Sequence, residues 1–181
     1  MSDTNQLLDT ILTNTYSTAD LQHRLTLLRE FLEDFFFTPH EHPNLIFLLN
    51  KFFVRKNESR DEFNALNAWG YSFYSQFNRE NLYPTLEAIE KSAESLPTVT
   101  LFLPFVPPMY EVPKLGKWLR SNVDPRALME IKTDIQLIGG CAVSYRGVYR
   151  DYSLRYYLQK SKPAILKVIG EYLAPIKEVA V

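Results

Sequence analysis

Over the first 95 residues, apolar positions recur at steps of three and four, the period of helices that bury one face. Leu7, Leu8, Ile11 and Leu12 predict a short amphipathic helix, interrupted from Thr13 to Thr18. Ser17 or Thr18 is placed to cap a second helix with Asp20 in its first turn. In that helix Leu21, Leu25, Leu28, Leu32 and Phe35 alternate steps of four and three, as in a packed bundle. Two prolines set a loop from Thr38 to Asn44, and Leu45, Leu48, Leu49, Phe52 and Phe53 form a third helix. Ser59-Arg60-Asp61-Glu62 fits a capping box. It opens a fourth helix with Phe63, Leu66, Trp69, Phe73 and Phe77 inward, and Leu82, Leu86, Ile89 and Ala93 give a fifth.

The pattern changes at Leu96-Pro97. Thr98 to Leu103 is rich in β-formers and bounded by Pro97 and Pro104, so it predicts a strand. A helix from about Met109 to Ser121 follows, with Val112, Leu115, Trp118 and Leu119 as its buried face. Ala127 to Lys132 predicts a second strand, with Ala127, Met129 and Ile131 facing opposite to Glu130 and Lys132. The expected fold is α+β: a helical bundle over residues 1–95, then a small α/β domain over 96–181 with a β-hairpin and a long terminal helix.

The stretch Asp134 to Leu158 predicts a complete loop, hairpin and helix. Gly139-Gly140 breaks the chain, and Cys141 to Tyr145 reads as a strand. Gly147 marks a tight reversal, and Val148 to Arg150 returns. Asp151 is placed to cap the last helix with Ser153 a second acceptor, and Leu154, Tyr157, Leu158, Ile165, Val168, Ile169 and Tyr172 keep a helical period. This stretch resembles the C-terminal signature of the ATP synthase delta subunit family, whose mitochondrial member is the oligomycin-sensitivity-conferring protein. Asp134, Leu137, Ile138, Gly139 and Gly140 match its first half, and Asp151, Ser153, Arg155 and Leu158 its second, in register. Ile135 stands where the family usually has proline, Gly147 falls about one position late, and Thr10 to Thr18 lacks the Tyr-Ala pair usual in the family's first helix.

The resemblance implies a non-catalytic connector in the peripheral stalk of a rotary, proton-translocating ATP synthase. The bundle would hold the N-terminal segment of an α-type head subunit, and the C-terminal domain would hold b-type stalk helices. Such a protein is peripheral to the membrane through its complex, on the cytoplasmic, matrix or stromal face.

Composition adds bounds. The 181 residues suit one domain or two small ones, and 46% hydrophobic residues suffice for a core. The net charge of −1 gives no overall pull toward nucleic acid or acidic lipid. One cysteine, Cys141, leaves no internal disulfide framework. No apolar run approaches the roughly 18 residues that span a bilayer, and Met1-Ser2-Asp3-Thr4 does not open a signal peptide, so direct membrane insertion is not expected.

No catalytic, cofactor or metal site is expected. His40-Glu41-His42 has ligand-type residues but lies in a loop, with His23 the one further histidine. Cys141 has no evident base beside it. No phosphate-loop motif and no paired carboxylates stand out. From Tyr145 to Tyr157, tyrosines and arginines interleave, and residues 141–181 carry seven Lys/Arg against three Asp/Glu. Three readings stay open for this face: a single-stranded nucleic-acid or adaptor surface, a hairpin packed by its tyrosines, or a protein interface. Nucleic acid is not the expected partner. For the interface, Tyr149, Tyr156, Tyr157 and Tyr172 are the candidate contacts.

Overall fold

The computed structural model describes the backbone of residues 2–39 and 44–177, and the side chains of 4–39 and 44–172. His40-Glu41-His42 therefore lies outside the described residues. The fold is α+β. Six helices come first: α1 (Ser2–Leu12), α2 (Thr18–Phe37), α3 (Leu45–Lys56), α4 (Arg60–Asn67), α5 (Gly70–Tyr74) and α6 (Leu82–Glu94). Then follow β1 (Thr98–Leu103), α7 (Val112–Asn122), β2 (Leu128–Thr133), β3 (Ala142–Tyr145), β4 (Val148–Asp151) and α8 (Leu154–Lys177).

The helix starts are capped by the residues the pattern marks. Ser17 Oγ accepts from the Asp20 amide at 3.0 Å, and Ser59 Oγ from the Glu62 amide at 3.2 Å. The reciprocal half of the expected capping box is replaced. Both Glu62 carboxylate oxygens take the Arg24 guanidinium instead, at 2.8 Å and 3.1 Å. Arg24 also donates to the Asn14 carbonyl at 2.7 Å and to Thr15 Oγ1 at 3.0 Å. Asn14 in turn donates to the Ala65 carbonyl and accepts from Trp69 Nε1. One buried polar network thus joins the α1–α2 turn, α2 and α4.

Around it the inward residues of α1 to α6 form a single core with Phe31 near its middle, edge-on to both Phe52 and Tyr74. The expected fourth helix is interrupted between Asn67 and Gly70, yet Trp69, Phe73 and Phe77 still point inward.

The chain forms two compact units, and they do not divide at residue 95. One comprises Met1–Thr98 with Pro108–Glu130, the other Val99–Pro107 with Ile131–Val181. Helix α7 belongs with the bundle because of contacts no local pattern announces. Arg120 donates to the carbonyls of Leu12, Thr15 and Ala127, and its guanidinium lies 4.8 Å from the centre of the Tyr16 ring. A Cβ at Gly116 would lie 2.5 Å from the Tyr16 side chain, so only glycine lets α7 come this close. Trp118, expected inside, is 60% exposed; Leu119 is buried as expected, and Gly116 joins it on the buried face. Met129 donates its amide to the Tyr16 carbonyl at 2.9 Å. Leu128 and Met129 are both buried, so the expected alternation of β2 gives way to burial on both faces at its start.

The strands run in the order β2-β1-β3-β4. β1 pairs antiparallel with β3, Leu101 opposite Val143, and β3 antiparallel with β4. Leu128 N–H bonds Pro97 O and Asp134 N–H bonds Leu103 O, a constant offset that makes β2 parallel to β1. The β3–β4 turn is Arg146-Gly147 between the paired Tyr145 and Val148. Both turn residues have positive φ, +49° and +76°, the type I′ signature that matches strand twist.

Glu62→Ala would leave the Arg24 guanidinium buried without its counter-charge. We expect a loss of about 3–5 kcal/mol in urea unfolding; a change below about 1 kcal/mol would show that the network is dispensable.

Candidate functional site

The site is built where the two halves of the Asp134–Leu158 stretch meet. Asp134 Oδ1 accepts from the Gln136 amide at 2.9 Å, turning the chain at the end of β2. Leu137 then goes inward, while Ile138 is exposed. Gly139 and Gly140 follow, with φ of +68° and +75°. That conformation carries their backbone alongside residues 152–154. Gly139 O accepts from the Leu154 amide at 3.2 Å, and Cys141 O from the Tyr152 amide at 2.8 Å. At Gly140 a Cβ would overlap the Tyr152 carbonyl oxygen and lie 3.1 Å from Ser153 Cα. The segments entering and leaving the hairpin are thus pressed backbone to backbone, which is the structural reason for a glycine here.

The cap of α8 differs from the sequence expectation in one respect. Ser153, not Asp151, is the N-cap: its fully buried hydroxyl accepts from the Tyr156 amide at 3.2 Å. Asp151 stands one step behind and accepts from the Ser153 amide at 2.7 Å. Hydrogen bonding from Ser153, aided by the charge of Arg155, holds the Asp151 carboxyl below its ordinary range. Burial, with Asp151 adding to it, pushes the Cys141 thiol up, away from the reactive thiolate.

From this anchor α8 leaves with no cover. Every described side chain from Leu154 to Tyr172 is exposed, including each apolar position of the expected stripe. Leu158, Tyr156, Tyr157 and Tyr172 therefore lie open on α8, with the ring of Tyr156 edge-on to that of Tyr157 at 5.5 Å. Tyr149 is separate from them, on β4, where its ring meets the edge of Phe102 at 5.9 Å. Arg155 is exposed in the first turn of α8. The structure brings Asp134, Leu137, Gly139, Gly140, Asp151 and Ser153 into one anchor, and leaves Leu158 and the tyrosines outside it. The carbonyl of Cys141 and the amide of Tyr152 complete the anchor; being backbone groups, they carry no signal in residue type.

Among the described residues, no cluster of three or more His, Cys, Asp or Glu side chains is placed to hold a metal. Among them also, no helix is long and apolar enough to cross a membrane. Comparison with protein-family models finds none that matches the chain, and comparison with curated proteins finds no match either.

Gly140→Ala and Gly147→Ala separate conformation from contact. Both glycines have positive φ, but a Cβ at Gly147 meets nothing within 4 Å. We expect Gly147→Ala to cost about 1–2 kcal/mol in urea unfolding and Gly140→Ala about 1–3 kcal/mol more. Equal losses would show that the close approach at Gly140 is immaterial.

The Asp151 interaction carries a pH signature. Its folded pKa is lowered, so the stabilisation is present above the unfolded value and lost as pH falls through the folded one. The melting-temperature gap between the wild-type chain and Asp151→Ala should be open at pH 7 and close as pH is taken well below about 3.9. A gap independent of pH would assign it to something other than the charge.

Proposed function

We propose that this chain is a non-catalytic connector of delta-subunit type in the peripheral stalk of a rotary ATP synthase. The observation that carries the reading is the anchored but uncovered α8. The two half-motifs that resemble the family's signature stand on either side of the hairpin, and they combine into one anchor. That anchor starts a helix of 24 residues whose described side chains find no cover in their own chain. A long amphipathic helix with an open apolar face is a means of holding another helix. The order of elements also supports the reading: a helical bundle, then a strand, a helix, a strand, a hairpin and a final helix.

In this role the bundle holds the N-terminal segment of an α-type head subunit, and the second unit holds the b-type stalk helices. Rotation of the central shaft exerts torque on the head, and a static chain of interfaces resists it without any bond being made or broken. The work is mechanical and uses no cofactor. The protein sits at the membrane through its complex, on the cytoplasmic, matrix or stromal face.

The test uses the full chain. It is titrated at about 0.15 M salt with three labelled probes: an α-type N-terminal peptide, a b-type C-terminal peptide and a single-stranded oligonucleotide. Saturable binding of both peptides, neither displacing the other, supports the connector. The reading fails if neither peptide binds while the oligonucleotide does, with an affinity that falls steeply with added salt.

A further inference from the structure

We infer that α8 takes its partner along one heptad seam and that this partner is an acidic amphipathic helix of another chain. The inference rests on the stalk reading only for the partner's name; the face and the charge come from α8 itself.

Leu154, Leu158, Ile165, Val168 and Tyr172 follow one another at steps of 4, 7, 3 and 4, with Ser161 filling the remaining place. Steps of four and three keep these residues on one side of a helix, in the repeat that lets two helices pack knobs into holes. All five apolar members are exposed, from 39% at Ile165 to 76% at Tyr172. Open apolar side chains in this regular array favour association with a matching array.

Pro163 identifies the face that stays wet. It lies two positions from both Ser161 and Ile165, about 200° around the helix and hence opposite the seam. Proline has no N–H to give, so the carbonyl four residues before it loses its partner in the helix. On a hydrated face water serves that carbonyl. Under a docked partner it would be stranded without a hydrogen bond, which disfavours docking on that side.

Charge selects the occupant. Between Leu154 and Tyr172, α8 carries Arg155, Lys160, Lys162 and Lys167 against Glu171 alone, a net of +3. Glu171 lies 4.0 Å from Lys167 on the same helix. Of these cations, Arg155 and Lys162 stand next to the seam residues Leu154 and Ser161, so a second copy of α8 laid along the seam would set them against their own kind. A helix with carboxylates beside its apolar stripe would meet them with the opposite charge, as flanking positions do in paired helices. The second copy is therefore disfavoured and the acidic partner favoured.

The test uses the full chain and two designed heptad peptides, each with leucine on its seam, one flanked by glutamates and one by lysines. The glutamate peptide should bind, and the lysine peptide at least about tenfold more weakly. Ile165→Asn should weaken the glutamate peptide by about tenfold or more. Leu166→Asn, one position off the seam, should stay within about twofold. Arg155→Glu with Lys162→Glu, the cations beside the seam, should reverse the preference between the peptides. Neither Ile165 nor Leu166 is buried, so the melting curves should not shift, and recording them separates lost binding from lost folding. Equal binding of the two peptides, or wild-type affinity in Ile165→Asn, overturns the inference. So does a self-associated wild-type chain that Ile165→Asn converts to monomer.

The same titrations keep this inference apart from the stalk assignment. If the glutamate peptide binds at the seam and a b-type peptide does not bind at all, the docking face stands and the assignment falls. If a b-type peptide binds Ile165→Asn as tightly as wild type, the assignment stands and the seam falls.

Discussion

The bundle depends on the buried charge pair of Arg24 and Glu62. Arg24 and Glu62 are each 8% exposed, too deep for either to be solvated alone. A buried ion pair of this kind adds little net stability over an apolar substitute, but removing one partner is severe. Its value lies in specifying geometry. The guanidinium reaches the Asn14 carbonyl and the Thr15 hydroxyl only if the α1–α2 turn sits over α2. The carboxylate reaches the guanidinium only if α4 crosses at the right height. Aromatic packing around Phe31 is less exacting, since rings and leucines tolerate several arrangements of similar energy. The charged network excludes arrangements that the apolar core would allow.

The anchor of α8 applies the same logic without charge. A helix start exposes amide groups that need acceptors. Here the loop before the hairpin supplies one acceptor, the carbonyl of Gly139, which takes the amide of Leu154, while the carbonyl of Cys141 takes the amide of Tyr152 just ahead of the helix. Local side chains serve two more: Ser153 Oγ takes Tyr156 N–H, and Asp151 takes Ser153 N–H. The direction in which α8 leaves is fixed at its first turn, where Leu154 is the one apolar residue of the seam. A helix held this way can present an open apolar face without depending on that face for its own placement. Leu154 apart, the residues that set its position are thus distinct from those that would meet a partner. A partner's grip can then change without the fold changing.

Much of the secondary structure was legible because it is decided locally. Spacing of Leu21, Leu25, Leu28 and Leu32 predicts a buried stripe, and all four are buried. Ser17 and Ser59 are the caps their positions promised. The Gly139-Gly140 pair and Ser153 stood out by residue type, and both are structural necessities where they lie. The sequence also marked a tight turn at Gly147. It did not reveal that Arg146 shares the positive φ, because nothing in an arginine announces it.

Tertiary structure decided what depends on partners distant along the chain. The capping box at Ser59 is locally persuasive, but a reciprocal bond competes with a buried guanidinium for the same carboxylate, and the charged partner wins. Helix α7 follows a proline-marked boundary, so its composition groups it with what comes next. Tyr16 and Arg120 lie more than a hundred positions apart and attach it to the bundle instead. Trp118 has the hydrophobic residue type and the spacing of a core position, yet the glycine beside it is what the neighbouring ring requires. The stripe on α8 shows the opposite division. Periodicity determined that an apolar face exists. Only the folded chain shows that it remains open, because burial is a property of what stands opposite a residue, and periodicity describes the residue's own helix alone.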